Sequence, residues 1–134
     1  MDTKIKGGVI GGIAGGVVFG MLMHMMGVMP MIAMMVGSES VLVGWVLHLI
    51  ISAVTGVIYV YTLGAGVETT GKGALMGAVY GVIWWVLGAL ILMPVILGIG
   101  VQFASMFDQM RMMSLMGHVI FGVILGVVAF KQSR

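Results

Sequence analysis

The sequence predicts an all-α integral membrane protein, a four-helix bundle of four spans that forms a single transmembrane domain over residues 1–134. Hydrophobic residues make up 61% of the 134-residue chain and charged residues only 7%, whereas soluble proteins carry roughly 25% charged residues. A domain this small cannot hide so much apolar surface from water. Cysteine is absent, which excludes disulfides, thiolate metal sites and a cysteine nucleophile.

Four apolar segments are each long enough to cross a bilayer as a helix, which takes about 20 residues. "GSES" offers Ser38 or Ser40 as an N-cap before the second span. The Pro-broken segment 28–37 and the segment 96–107 are expected to re-enter the membrane or lie on its surface. The expected spans are about 7–27, 40–62, 73–95 and 112–130.

The basic residues predict the orientation of the chain, because Lys and Arg are enriched on the cytoplasmic side of membrane proteins. Arg111 is alone on one predicted side, and the other five basic residues share the opposite side. We therefore expect a multi-pass protein of the cell inner membrane with both termini in the cytoplasm. Basic residues that end apolar runs form no patch, so no nucleic-acid partner is expected. The five are Lys4, Lys6, Lys72, Lys131 and Arg134.

The two halves of the chain resemble each other. "KGGVIGGIAGGVVF" (6–19) aligns with "KGALMGAVYGVIWW" (72–85), and each is followed by a Met-Pro pair and then by a histidine with a glycine eight residues later, at His48 and His118. Each half would hold two spans, so both would enter the membrane in the same direction. We expect two parallel two-span repeats, about 6–63 and 72–131, related by a pseudo-two-fold axis along the membrane normal.

The motifs of these repeats resemble a known family. The Gly-rich first span, the "MP" pairs, "VGWVLHLIISAVTGVIY" and "LMGHVIFGVILGVV" are similar to a family of small four-span bacterial and archaeal inner-membrane proteins known only as a domain of unknown function. The resemblance covers nearly the whole chain and implies the topology, but it implies no activity. The dense methionines are unusual for that family.

Glycines spaced four apart form faces on the first and third predicted spans. Small residues on one helix face let two backbones approach closely in lipid. The first span has two such faces, which serve packing within the bundle or contact with another copy or subunit. The predicted helix-packing glycines are Gly7, Gly8, Gly11, Gly12, Gly15, Gly16, Gly20, Gly73, Gly77 and Gly81.

No catalytic constellation is visible in the sequence. "GVETTGKG" (66–73) nearly matches a phosphate-binding loop but ends in Gly73 where the Mg²⁺-binding hydroxyl belongs, so no nucleotide is expected. Ser52 and Ser114 have no acidic partner in the core for a hydrolase triad. We predict a non-catalytic membrane protein that contacts the lipid bilayer and acts as a homo-oligomer or as a small accessory subunit of a larger complex.

Two alternative cofactor sites follow from the histidines and methionines. His48 and His118 belong to predicted polar stripes that face the bundle interior, at equal depth, and could ligate a haem. Alternatively, His24 with Met21 and Met25 could hold Cu(I), which favours thioether and imidazole ligands. Thirteen of the sixteen methionines lie in 21–35 and 106–116, and Met also fills irregular apolar gaps. Haem, copper and simple packing therefore remain open as explanations.

Overall fold

A computed structural model describes residues 2–134 as a bundle of four long helices. All four are long and apolar enough to cross a membrane, which confirms the prediction of a multi-pass, four-span protein in contact with lipid. Each span begins and ends within about four residues of its expected bounds. The elements are α1 (Thr3–Met25), α2 (Met29–Met34), α3 (Val41–Tyr61), α4 (Thr70–Trp84), a π-helical segment (Trp85–Leu92), α5 (Met93–Ile96), a 3₁₀ turn (Phe103–Ser105) and α6 (Gln109–Gln132).

Short polar side chains begin the long helices. Ser40 is the N-cap of α3, and its Oγ accepts a hydrogen bond from the Val43 N–H at 3.4 Å. Ser38, two residues before the cap, instead accepts from the Ser40 N–H at 3.1 Å. Asp2 caps α1, which explains why that helix begins before the expected apolar run, since a side-chain acceptor satisfies the first free N–H groups.

The four helices pack in the order α3, α1, α6, α4, so that α1 and α6 form the centre. The beginnings of α1 and α4 and the ends of α3 and α6 share one end of the bundle, which we call the terminal end. The opposite end carries α2 and most of the methionines, and we call it the methionine end. Five of the six basic residues lie at the terminal end, whereas Arg111 lies at the methionine end beside Asp108.

The two glycine faces of α1 contact two different helices. Gly8 lies against α3, where an added Cβ would be 2.7 Å from the Gly56 carbonyl oxygen. Gly11 lies against α6, where an added Cβ would be 2.9 Å from the Leu125 carbonyl oxygen. The backbones therefore approach too closely for any larger side chain. Gly12 and Gly16 share the α3 face with Gly8, and Gly7 and Gly15 share the α6 face with Gly11.

The third glycine face, on α4, also lies inside the bundle. A Cβ added at Gly73 would be 2.8 Å from the Gly126 carbonyl oxygen of α6, and Gly77 and Gly81 contact α6 in the same way. Gly20 packs against Trp45 of α3. All ten predicted helix-packing glycines thus contact other helices of the same chain, which leaves none of these faces free for a partner.

α4 contacts α3 through tyrosines, without the close backbone approach seen elsewhere. Tyr80 donates a hydrogen bond to the Thr55 carbonyl oxygen at 2.5 Å, and its ring centroid lies 5.1 Å from that of Tyr59. His48, Ser52, Thr55 and Tyr59 are all buried, so these four members of the polar stripe predicted on the second span face inward. Thr62, its last predicted member, is exposed.

The third span departs from a regular α-helix near Pro94. Proline has no N–H, and its ring crowds the carbonyl four residues earlier, so the turns before it widen into the π-helical segment. The carbonyl of Leu90 would be the acceptor for residue 94 in an α-helix. It accepts instead from the Gln102 N–H at 2.9 Å. This bond ties the connection after α5 back to the bundle.

Candidate functional site

A cavity of about 420 Å³ lies toward the methionine end, between α1, α2, α3, the π-helical segment and α6. Its wall is mainly apolar, and a few polar groups of α3 and α6 reach into it. Cavities of this volume with this mixture are typical of sites for small organic ligands. Six methionines line it: Met23, Met26, Met31, Met35, Met93 and Met110.

The cavity exists because α3 and the third span diverge beyond Tyr80. Trp84 packs edge-on against Tyr80, with ring centroids 6.3 Å apart, and lines the cavity. The next lining residues of the π-helical segment are Gly88 and Ala89, which are too small to fill the gap. A Cβ added at Gly88 would meet no atom closer than 3.9 Å. The gap beside Gly88 is therefore not filled by side chains.

His48 is held in one orientation by the backbone of α1. Its Nε2 lies 2.7 Å from the Gly16 carbonyl oxygen. A carbonyl oxygen only accepts, so Nε2 carries the proton of the neutral ring and Nδ1 keeps a lone pair. A Cβ added at Gly16 would overlap Ser52 of α3, so the missing side chain lets α3 lie close enough to α1 for the imidazole to reach that carbonyl. Only 7% of His48 is exposed.

His118 is fixed by its own helix with the opposite ring nitrogen. Its Nδ1 lies 2.7 Å from the Ser114 carbonyl oxygen and 3.3 Å from the Ser114 hydroxyl. The bond to the carbonyl places the proton on Nδ1, so Nε2 keeps the lone pair. Ser114 therefore faces a protonated nitrogen, which cannot take a proton from its hydroxyl.

The second ring nitrogen of each histidine has no hydrogen-bond partner among the described residues. Over residues 2–134, neither Nδ1 of His48 nor Nε2 of His118 has a hydrogen-bond partner. No fully buried side-chain nitrogen or oxygen in this range lacks a partner, so these two atoms must retain accessible surface. Both histidines line the cavity.

Phe19 packs against both histidines that are expected to ligate a haem. Its ring centroid lies 5.5 Å from that of His48 and 4.7 Å from that of His118. A haem ligated by both histidines would have to displace this ring. A macrocycle would also need small residues beside the two histidines, but the nearby Gly44 and Gly122 are filled by contacts with Met29 of α2 and Gly77 of α4.

The expected copper ligands lie on the outer surface of α1. The indole N–H of Trp45 donates to Nδ1 of His24 at 3.2 Å. Met21 is 57% exposed and Met25 81% exposed, so both thioethers lie at the periphery, outside the cavity. Within the described part of the chain, no three His, Asp or Glu side chains form a metal-binding group.

Arg111 lies where α6 begins at the methionine end. Its guanidinium donates to Asp108 Oδ2 at 2.9 Å and to Gln102 Oε1 at 2.8 Å. Its backbone carbonyl accepts from the Trp85 indole N–H at 3.0 Å. Arg111 is thus paired with local polar groups where it lines the cavity.

Several lining residues were not predicted as part of a site. Phe19, Gly88 and Ala89 carry no polar chemistry, so no motif marks them. The sequence feature that could have marked this wall of the cavity is the small pair Gly88-Ala89. It comes shortly after two tryptophans and lies opposite the polar stripes of α3 and α6.

Comparison of the chain with known protein families, with characterised proteins and with solved structures finds no match. No family is therefore identified for the predicted resemblance. The class that the fold defines is coarser, namely a small membrane protein of four apolar helices packed as a bundle.

Proposed function

We propose that the protein is a non-catalytic integral membrane protein that binds a lipophilic ligand inside its helix bundle. The observation that carries the proposal is the 420 Å³ cavity among the spans, with its apolar wall and the two histidines that line it. Ligand sites in helix bundles are commonly built between facing helices in this way.

The polar groups of the cavity support binding rather than catalysis. Ser52 donates to the His48 carbonyl oxygen at 2.7 Å, and Thr55 donates to the Ile51 carbonyl oxygen at 2.8 Å. Ser114 lies beside a protonated nitrogen of His118. A nucleophile needs an adjacent group that can accept its proton, and none of these hydroxyls has one among residues 2–134.

Thermal unfolding of delipidated protein tests the proposal, because a ligand that binds only the folded state raises the unfolding midpoint. A total lipid extract of the source membrane should stabilise the wild type and Gly71→Leu. It should stabilise Gly88→Leu much less, because that side chain fills the cavity. Gly71 is the matched control, since it lies on the same span and an added Cβ there also meets open space. Equal stabilisation of all three proteins would contradict the proposal.

Assembly into a homo-oligomer, or with a larger membrane complex as an accessory subunit, remains part of the proposal. The support is the outer face of α3, where Leu42, Val46, Ile50 and Val54 are each more than half exposed and four residues apart. Another helix or lipid can cover such a face. Native mass measurement in mild detergent tests this, and a monomer with no co-purifying protein would count against it.

The repeat also remains a proposal, and the helix contacts support it with an altered register. Gly8 of α1 contacts Gly56 of α3, and Gly73 of α4 contacts Gly126 of α6. These contacts equate Gly8 with Gly73, one residue away from the alignment that pairs Lys6 with Lys72. The equivalence of His48 with His118 is unchanged.

This register offers a reason for the cavity. On α4, Tyr80 and Trp84 take the places that Gly15 and Phe19 hold on α1. Gly15 lets α1 lie against α6, whereas Tyr80 keeps α4 away from α3. The contact between α1 and α6 is therefore close, whereas the equivalent contact between α4 and α3 is wide.

Copper is a second candidate ligand. The six methionines of the cavity and the two free imidazole nitrogens are all donors that suit Cu(I), and each ring donates its other N–H to a backbone carbonyl, as metal-bound histidines usually do. This set differs from the predicted His24, Met21 and Met25. Haem is less favoured because Phe19 packs against both histidines.

We further propose an inner-membrane location with both termini in the cytoplasm. The support is the clustering of basic residues at the terminal end, together with the ion pair that neutralises Arg111 at the methionine end. Positive charge favours the cytoplasmic side.

A further inference from the structure

We infer that the ligand of the cavity carries a hydroxyl group, alcohol or phenol, that donates a hydrogen bond to a histidine inside the bundle. The inference rests on the proposed function and adds the chemical class of the ligand. The groups that would recognise the hydroxyl are Nδ1 of His48 and Nε2 of His118.

The backbone imposes one protonation state on each of the two rings. Gly16 and Ser114 present carbonyl oxygens at 2.7 Å to Nε2 of His48 and to Nδ1 of His118. Each carbonyl takes the single N–H of a neutral imidazole. The two rings donate to these carbonyls with opposite nitrogens. Each ring nevertheless keeps one unprotonated nitrogen, which we infer is an acceptor for the ligand in the cavity.

The residues around the cavity favour a ligand without charge. The cavity is lined by no Asp or Glu, so an ammonium group would be buried without a counter-charge, at a high cost. A carboxylate would face two lone pairs, with the Arg111 guanidinium already bonded to Asp108 and Gln102. The ligand is therefore neutral at the depth of the histidines.

Among neutral groups, a hydroxyl suits the two imidazole acceptors best. A ketone, ester or ether only accepts, so it would leave both imidazole lone pairs unsatisfied. A neutral N–H group can donate to an imidazole nitrogen but cannot accept at the same atom, whereas a hydroxyl does both. The Ser114 hydroxyl beside His118 can supply that second bond, because the nitrogen next to it is protonated.

The volume of the cavity suits a small organic molecule better than a single ion. A volume of about 420 Å³ falls in the range of roughly 300–1,000 Å³ that holds small organic ligands. A single Cu(I) ion would leave most of the space empty. Methionine side chains adapt to irregular apolar shapes, so the remaining wall suits a hydrocarbon body.

The test compares two probes that differ by one O-methylation, which removes the donor and adds a single methyl group. Tritiated 4-octylphenol and its methyl ether, 4-octylanisole, are titrated onto wild-type protein in lipid nanodiscs, with empty nanodiscs as background. Leaving a buried acceptor unpaired costs enough to weaken binding about tenfold or more. We therefore expect the phenol to bind at least about tenfold more tightly than the ether. This comparison needs no variant.

Variants then locate the site. His118→Phe should reduce the phenol-to-ether affinity ratio several-fold while the ether still binds. Gly88→Leu should weaken both probes, and Gly71→Leu should leave both unchanged. Measuring the ratio within each variant separates loss of recognition from loss of folding, since an unfolded protein binds neither probe.

The outcomes distinguish failure of the inference from failure of the proposed function. Equal affinity of the wild type for both probes, with loss in Gly88→Leu, would overturn the hydroxyl and retain the lipophile site. Binding of neither probe would overturn both. Stoichiometric Cu(I) binding that is lost in His118→Phe, without preference for the phenol, would overturn the inference in favour of a metal.

Discussion

At the scale of single residues, glycine determines how closely the helices pack. In lipid there is no hydrophobic drive between helices, so close backbone contact has to supply the attraction. Gly12 shows this most clearly, because an added Cβ there would overlap the Ser52 carbonyl of α3. The same close approach lets His48 reach the backbone of α1 and fixes the tautomer on which the proposed site depends.

Gly12→Leu should destabilise the folded bundle by about 1–3 kcal/mol or more, because overpacking a tight contact forces backbones apart. Gly71→Leu is the matched control, since a Cβ at that position meets no neighbour within 4 Å. Unfolding in mixed detergent micelles measures the difference. Equal stability of the two variants would show that the α1–α3 contact is looser than described.

At the scale of elements, the π-helical segment turns an ordinary span into one wall of a cavity. π-Helical turns are often found at functional sites. Here the widening coincides with Gly88 and Ala89 and with a proline that frees the Leu90 carbonyl. The connection from α5 to α6 is consequently attached to the bundle at Gln102.

Pro94→Ala should loosen this connection. The new N–H at residue 94 would compete for the Leu90 carbonyl, which now accepts from the Gln102 N–H at 2.9 Å. We expect faster hydrogen exchange at the Gln102 amide. Pro30→Ala, at the start of α2, is the control and should leave that amide unchanged. Unaltered exchange in Pro94→Ala would contradict the assigned role of the proline.

Sequence patterns predicted the spans, the Ser40 cap and the inward stripe of α3, because hydropathy and helical spacing act locally. They did not predict the π-helical segment, although the Met93-Pro94 pair was noted. Nor did they place Phe19 against both histidines, or His24 against Trp45. These features depend on which helices become neighbours, and the order α3, α1, α6, α4 is not encoded in any single span.

At the scale of the whole molecule, the charge distribution and the cavity give the bundle two different ends. Glu68 and Glu39 are exposed near the terminal and methionine ends. We expect Glu68→Cys to react with an impermeant thiol reagent only from the cytoplasmic side, and Glu39→Cys only from the other side. The chain has no native cysteine, so each label reports one position. The reverse pattern would invert the topology.

The central claim is that a neutral hydroxylated lipophile occupies the cavity, and native mass spectrometry of protein from its own membrane tests it most directly. We predict one bound small molecule per chain that gains an acetyl group on treatment with acetic anhydride after release. It should be lost in Gly88→Leu and retained in Gly71→Leu. Protein that carries no such molecule, or a molecule retained equally in Gly88→Leu, would contradict the claim.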